Sequence, residues 1–225
     1  MALRAVVFDF DGVIVNSEPL HYRALHDALA TEQVQITEEE YWGSYLAYDN
    51  RGAIRRALER HGEPASPERV EGLAAHMVTR FEELIPEIPV FPGAVELVRA
   101  LADEVPLAIA SGARREEVDA TLRSVGLRDA FQTIVGAEDV PRTKPDPAPF
   151  LEAARHLAAH VDGLPPADCI AFEDSVPGIA SALAAGMKVV GIAHSYPAGK
   201  LQAAHRVVDS LVDVDVDGLR GLFGD

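Results

Sequence analysis

Cysteine is almost missing from this chain: Cys169 is the single thiol in 225 residues. One thiol cannot close an intramolecular disulfide, and its isolation fits a reducing compartment. It stands directly before the apolar run "IAF", so it reads as a small buried core residue and not as a nucleophile. Positive charge is scarce as well, with 20 basic residues against 36 acidic ones and a formal net charge of −16. Nucleic acid and anionic membrane both select cationic surfaces, so neither is expected as a partner. No apolar run approaches the roughly 20 residues that cross a bilayer, and no cationic segment followed by a long apolar stretch opens the chain. Internal repeats, low-complexity segments and histidine–cysteine groups with zinc spacing are absent too. These absences lead us to expect a cytoplasmic protein; the sequence does not display its oligomeric state, for which a monomer or weak oligomer is the expectation.

What is present is an ordinary globular composition, 48% hydrophobic and 25% charged, in a chain long enough for one large domain or a domain with a sizeable insertion. Short β-branched runs recur at residues 4–10, 106–111, 131–137, 169–174, 188–193 and 206–211. They are apolar without alternation, as strands buried on both faces are. Helical patterns lie between them at 94–104, 115–126, 148–161 and 176–186, the second and fourth ending in Gly126 and Gly186 where a C-cap favours a left-handed residue. The alternation predicts an α/β fold, a Rossmann-like parallel sheet with helices on both faces. After the first strand the rhythm breaks. Residues 17–87 carry helical stretches at 20–31, 51–62 and 66–84 and no convincing strand, which predicts a helical module inserted into a core made of residues 1–16 and 88–225. Ser66, Pro67 and Glu68 supply an N-cap, a first-turn proline and a first-turn acid for the last of these helices.

Ligands of open α/β sheets bind at the carboxyl ends of the strands. At those ends stand Asp9 and Asp11, then Ser111 and Gly112, then Glu173 and Asp174, while Lys144 lies in the "TKPDP" loop after the third strand. Four carboxylates so gathered do not all stay ionised without a cation. Oxygen donors with no histidine or cysteine among them select a hard ion, and Mg²⁺ is the natural one. On a strand, residues i and i+2 share a face, so Asp9 and Asp11 are expected to reach one ligand together. Elsewhere, "DVDVDG" (213–218) imitates the opening of a calcium loop, but its twelfth position is Gly224, so a terminal turn and helix start are expected there.

"DFDGVIVNSE", "IASG", "GAEDV…KPDP" and "FEDSVPGIASALAAGM" together resemble the four signature motifs of the haloacid dehalogenase superfamily. The inserted module resembles that family's helical cap, of the type in β-phosphoglucomutases and phosphoglycolate phosphatases, more by size and placement than by residues. The resemblance implies Asp9 as nucleophile on phosphorus and Asp11 as acid, then base. It implies Ser111 and Gly112 as phosphoryl-binding groups and Lys144 as the balancing cation. Mg²⁺ would be held by Asp9, the backbone carbonyl of Asp11, and Asp174, with Glu173 close by. Gly12 would turn the chain and leave room for substrate. His21 matches a histidine seen at this place in many helical-capped relatives, with a substrate-facing role and a cap-packing one both open. Asp11 argues against a dehalogenase, and the absence of lysine from 17–87 argues against a Schiff-base phosphonate hydrolase. Against a silent binding module stand Asp9, Asp11 and Lys144, all retained. The rival that remains is a phosphosugar mutase, whose Ser-Arg loop and cap lysine are replaced here by Asp49-Asn50-Arg51 and by His76, Met77 and Arg80. A Mg²⁺-dependent phosphatase acting through an aspartyl-phosphate on a small phosphate ester, a sugar phosphate or phosphoglycolate-like acid, is therefore the expectation. Arg51 is its candidate substrate-binding residue in the insert, with hinges near 15–17 and 88–89.

Overall fold

The computed structural model describes residues 2–46 and 48–224. Its strands are β1 (Ala5–Phe8), β2 (Leu107–Ala110), β3 (Phe131–Val135), β4 (Cys169–Glu173), β5 (Lys188–Ile192) and β6 (Arg206–Val208). They form a six-stranded sheet in the order β3-β2-β1-β4-β5-β6, every pairing parallel. All four residues of β1 are fully buried, which is why these strands read as unbroken apolar runs. Sequential strands run outward from β1 to β3, and the chain then returns across the sheet to place β4 on the other side of β1. The direction of strand order reverses there, so the ends of β1, β2 and β4 become neighbours at the switch point.

Packing divides the chain into two compact units, Ser17–Ile88 and the rest. The first contains α1 (Glu18–Ala30), α2 (Glu38–Glu40), α3 (Asn50–Arg60) and α4 (Pro67–Leu84), with a π-helical turn at Tyr41–Tyr45. Leu20, Ala24, Leu25, Ala28 and Leu29 form the buried stripe of α1, and Val70, Leu73, Ala74, Met77, Phe81 and Leu84 that of α4, both at helical spacing. The Ser66 hydroxyl accepts the Arg69 N–H at 3.3 Å and so caps α4 as the sequence indicates, and Asp49 does the same for α3 through Gly52 at 2.8 Å.

In the sheet-bearing unit the helices are α5 (Ala94–Ala102), α6 (Arg115–Ser124), α7 (Ala148–Leu157), α8 (Val176–Ala184) and α9 (Val216–Arg220). Phe150, Ala153 and Leu157 of α7 and Ile179 and Ala182 of α8 cover the sheet face that carries Ala5, Val7, Ala108 and Ala171. Gly126 and Gly186 are left-handed, with φ of 69° and 84°, as their C-cap positions require. Cys169 is buried in β4, where burial pushes its thiol up to about 12. Asp215 accepts the N–H groups of Asp217 and Gly218 at 3.2 and 3.1 Å, so the acidic C-terminal motif starts α9. Among the described residues, no helix is long and apolar enough to cross a membrane.

The segments that leave and re-enter the sheet-bearing unit are paired: Val15 bridges Val90 antiparallel, and Asn16 donates to the Pro89 carbonyl at 2.8 Å. The helical unit rests on its own α1–α4 stripe. Leu25→Ala is expected to lower its stability by about 2–5 kcal/mol, read as a lower urea midpoint of the helical circular-dichroism signal.

Candidate active site

The register sets the site. Phe8 is level with Ile109 of β2 and Phe172 of β4, and the next residue, Asp9, donates its N–H to the Phe172 carbonyl at 2.9 Å. β1 ends before Asp9, and the carbonyl of Phe10 then accepts the Ile14 N–H at 2.9 Å, so the chain is already turning. The strand alternation expected to place Asp9 and Asp11 on one face does not extend to Asp11. Asp11 lies in the turn, partly exposed, bridged to Val15.

Lys144 is the centre of the arrangement. Its ammonium lies 2.7 Å from Asp9 Oδ1 and 2.7 Å from Glu173 Oε1, with side-chain exposure of 12% for the lysine and 0% for the glutamate. The Phe150 ring sits 5.1 Å from Nζ and completes its apolar side. The remaining oxygen of Glu173 accepts the Ser175 N–H at 2.8 Å and its hydroxyl at 2.9 Å. Burial opposes the ammonium, but Asp9 and Glu173 outweigh it and hold Lys144 above the usual lysine range. Burial likewise pushes Glu173 up, and Lys144 more than reverses it, leaving Glu173 ionised below its ordinary range.

Asp9 and Asp174 are treated differently. Burial drives Asp9 well above its ordinary value against the pull of Lys144, and the charges of Glu173 and Asp174 add to the rise. Burial raises Asp174 to about 7, opposed by a hydrogen bond from Ser195 and reinforced by Glu173. One ammonium faces three carboxylates, so two negative charges lack a partner if all three ionise. Oxygens of Asp9, Glu173 and Asp174 lie within 4.8 Å of one another. A hard divalent cation would restore neutrality, and an all-oxygen donor set suits Mg²⁺. The Asp11 carboxylate stands outside this group of three.

Two glycines make the close packing possible. A Cβ on Gly12, where φ is +79°, would lie 1.9 Å from Asp174 Oδ2; one on Gly178 would lie 1.6 Å from Glu173 Oε1. Ser195, Gly178 and His194 escaped the reading of the sequence, and Ser175, which stands at the end of the fourth strand, had no role assigned to it. Ser175 and Gly178 lie inside the quoted "EDSVPG" stretch and are legible there once α8 is known to begin under Glu173. Nothing in "IAHSYP" marks Ser195 or His194.

Ser111 and Gly112 follow β2. Ser111 is 2% exposed, donates its N–H to Val135 at 3.0 Å, and accepts the Ala113 N–H on Oγ at 3.0 Å. Its hydroxyl proton is thus left over for an acceptor, and the space above Gly112 is open. In the helical unit, His21 stacks on Phe81 with centroids 4.3 Å apart. Arg51 makes a two-bond ion pair with Glu71 at 2.7 and 2.6 Å. Arg80 is paired with Asp27 and Glu83, both at 2.8 Å.

A ring of buried acids around one lysine, at the switch point of a parallel sheet, defines a class. The model of the haloacid dehalogenase-like hydrolases matches residues 3–186. The chain belongs to that family and is a hydrolase. It is similar to hexitol phosphatase B of Escherichia coli K12, 32% identical over 220 residues covering 97% of this chain and 93% of that protein. Among solved structures it is similar to a mutant CbbY of Rhodobacter sphaeroides in complex with xylulose-(1,5)bisphosphate, at TM-score 0.79 and 27% identity over 97% of this chain and 99% of the other. It is also similar to β-phosphoglucomutase from Clostridium difficile, at TM-score 0.77 and 25% identity over 98% and 97%.

The Glu173–Gly178 contact makes a sharp comparison possible. Gly178→Ala is expected to lower stability by about 2 kcal/mol or more through overpacking. Gly72→Ala, in α4 with nothing within 4 Å of the added Cβ, should instead raise it by about 0.4–1 kcal/mol. Urea midpoints of both variants check the pair.

Proposed function

We propose that the chain is a Mg²⁺-dependent phosphatase that hydrolyses a small phosphorylated metabolite, a sugar phosphate or a phosphoglycolate-like acid, through an aspartyl-phosphate on Asp9. The observation that carries the reading is Lys144 bridging Asp9 and Glu173 beside Asp174. An acid clamped by a cation and opened to a second one serves a nucleophile that must approach an anionic ester.

Asp9 and Asp174 would hold Mg²⁺ directly, with the backbone carbonyl of Asp11. Glu173, both of whose oxygens are engaged by Lys144 and Ser175, would lie next to the ion and orient the lysine. Bound there, Mg²⁺ supplies the positive charge that keeps Asp9 ionised and screens the phosphoryl oxygens. Asp9 attacks phosphorus in line, the new O–P bond forming as the bond to the substrate oxygen breaks. Asp11 hands its proton to that departing oxygen. It then takes a proton from water as the water attacks phosphorus, which releases inorganic phosphate and returns Asp9. The Ser111 hydroxyl and the Gly112 N–H hold the transferring oxygens while Lys144 balances their charge. Gly12 admits the Asp174 carboxylate at the turn and leaves substrate room beside it.

The helical unit would act as a cap that sets the substrate, its hinges at the paired Val15–Asn16 and Pro89–Val90 segments. His21 and Arg51 are its candidate substrate groups, and Arg51 must exchange Glu71 for a ligand. The same pairing weighs against a mutase, whose pattern puts a Ser-Arg step and a lysine in the cap: here Asp49 and Asn50 precede Arg51, and Arg80 holds Asp27 and Glu83. The acidic net charge and the lone buried thiol fit a cytoplasmic enzyme that meets neither nucleic acid nor membrane and works as a monomer or weak oligomer.

A panel of small phosphomonoesters is expected to release phosphate in Mg²⁺ and not in EDTA, and Asp9→Asn should cut turnover at least about 1,000-fold. Undiminished turnover in EDTA, or a fully active Asp9→Asn protein, sinks the mechanism. β-Glucose 1-phosphate supplied with its 1,6-bisphosphate separates the two activities: free phosphate marks the phosphatase, glucose 6-phosphate the mutase.

A further inference from the structure

We infer that Ser195 is a positioning residue for Asp174, brought to it by a loop that His194 pins to the turn after β1. The inference rests on the reading of Asp174 as a cation ligand. β5 lies beside β4, with Gly191 level with Glu173, so the chain leaving β5 runs past the carboxyl end of β4. Its residues 194 and 195 carry the two groups concerned. A Cβ on Gly12 would lie 1.9 Å from Asp174 Oδ2 and 2.9 Å from Ser195 Oγ, which puts carboxylate, hydroxyl and glycine turn against one another. The Ser195 hydroxyl is a donor on this side of the carboxylate and favours its charged form.

The loop is fastened from its other residue. His194 Nδ1 lies 2.8 Å from the Gly12 carbonyl; a carbonyl only accepts, so Nδ1 carries the proton. The ring stacks on Phe91 with centroids 3.9 Å apart and planes 15° from parallel. The Gly12 N–H is held as well, by the Val15 carbonyl at 2.9 Å. Both polar groups of the glycine are therefore fixed, and the turn that limits Asp174 on one side also anchors the loop that bonds it on the other. Asp174 is 4% exposed, and the groups that favour its charged form against burial are the Ser195 hydroxyl, the Lys144 ammonium and its own backbone N–H. Of these, Ser195 alone comes from the loop after β5. Carboxylate ligands generally depend on such outer hydrogen bonds for orientation, and their loss weakens metal binding.

The test is isothermal titration of the intact, substrate-free protein with Mg²⁺. Ser195→Ala is expected to bind about tenfold more weakly with an unchanged melting temperature, and Ser195→Thr, which keeps the hydroxyl, should recover wild-type affinity. Ser195→Ala binding like wild type, or Ser195→Thr failing to rescue, overturns the inference. Asp174→Asn separates the two levels: if it retains wild-type affinity, the cation-ligand reading itself fails. If it loses affinity while Ser195→Ala does not, only the role of Ser195 fails. His194→Ala should weaken binding through the same route, so the double variant should match Ser195→Ala. Fully additive losses would show that His194 does not act through Ser195.

Discussion

The rest of this structure depends on one ammonium held between two carboxylates. Lys144 reaches Asp9 and Glu173 at the same distance, 2.7 Å, in a place where unpaired charge is costly. Burial alone would discharge all three groups. Held together, the lysine and Glu173 stay ionised, and Glu173 is fixed further by the Ser175 N–H and hydroxyl at the start of α8. The N-cap of a core helix and the placement of the charge-balancing lysine thereby become one constraint. Gly178 belongs to it, because any side chain there would occupy the space of the Glu173 carboxylate.

The lysine does not finish the neutralisation. Asp9 is raised by burial and by the charges of Glu173 and Asp174, and Asp174 by burial and the charge of Glu173, and a carboxyl that holds its proton is a poor nucleophile and a poor metal ligand. The site is thus built short of positive charge by about the amount a divalent ion carries. In a chain of net charge −16, this local deficit is a better recognition device than a basic patch would be. Under the proposed function it would take a small hard cation first and, through it, an anionic ester. The helical unit shows the complementary economy: its arginines at positions 51, 69 and 80 are spent on glutamates and an aspartate of the same unit.

Much of this was legible in the residues. Unbroken apolar runs marked β1, β2 and β4 because both their faces are covered, while the edge strands β3 and β6 keep polar or half-buried positions; the 3.6-residue stripes of α1, α3 and α4 marked the helical unit. Asp9, Lys144, Glu173 and Asp174 were legible as a group because four strand-end motifs share one rim in a parallel sheet. Other features were hidden. Extending strand geometry to Asp11 failed, since β1 ends at Phe8 and the turn begins at Phe10. Met77, named in sequence only as standing where the mutase pattern has its cap lysine, is a core residue of α4. The ion pair of Arg51 with Glu71 joins residues on different helices, and no spacing rule connects them.

By itself, the sequence determined the alternation of strand and helix, the place of the insertion, and which acids follow the strands and which lysine lies in the loop after the third. Those are local properties: period, capping, and position along a strand. Only the tertiary structure decided which of the four acids share charge, which glycines are obligatory, and that Ser195 and His194 belong beside Asp174. Those depend on contacts that no local spacing fixes, such as Lys144 on Glu173 across 29 positions and His194 on Gly12 across 182. Parallel strands bring such residues together through the sheet, and the register of that pairing is set by the whole core, not by any one segment.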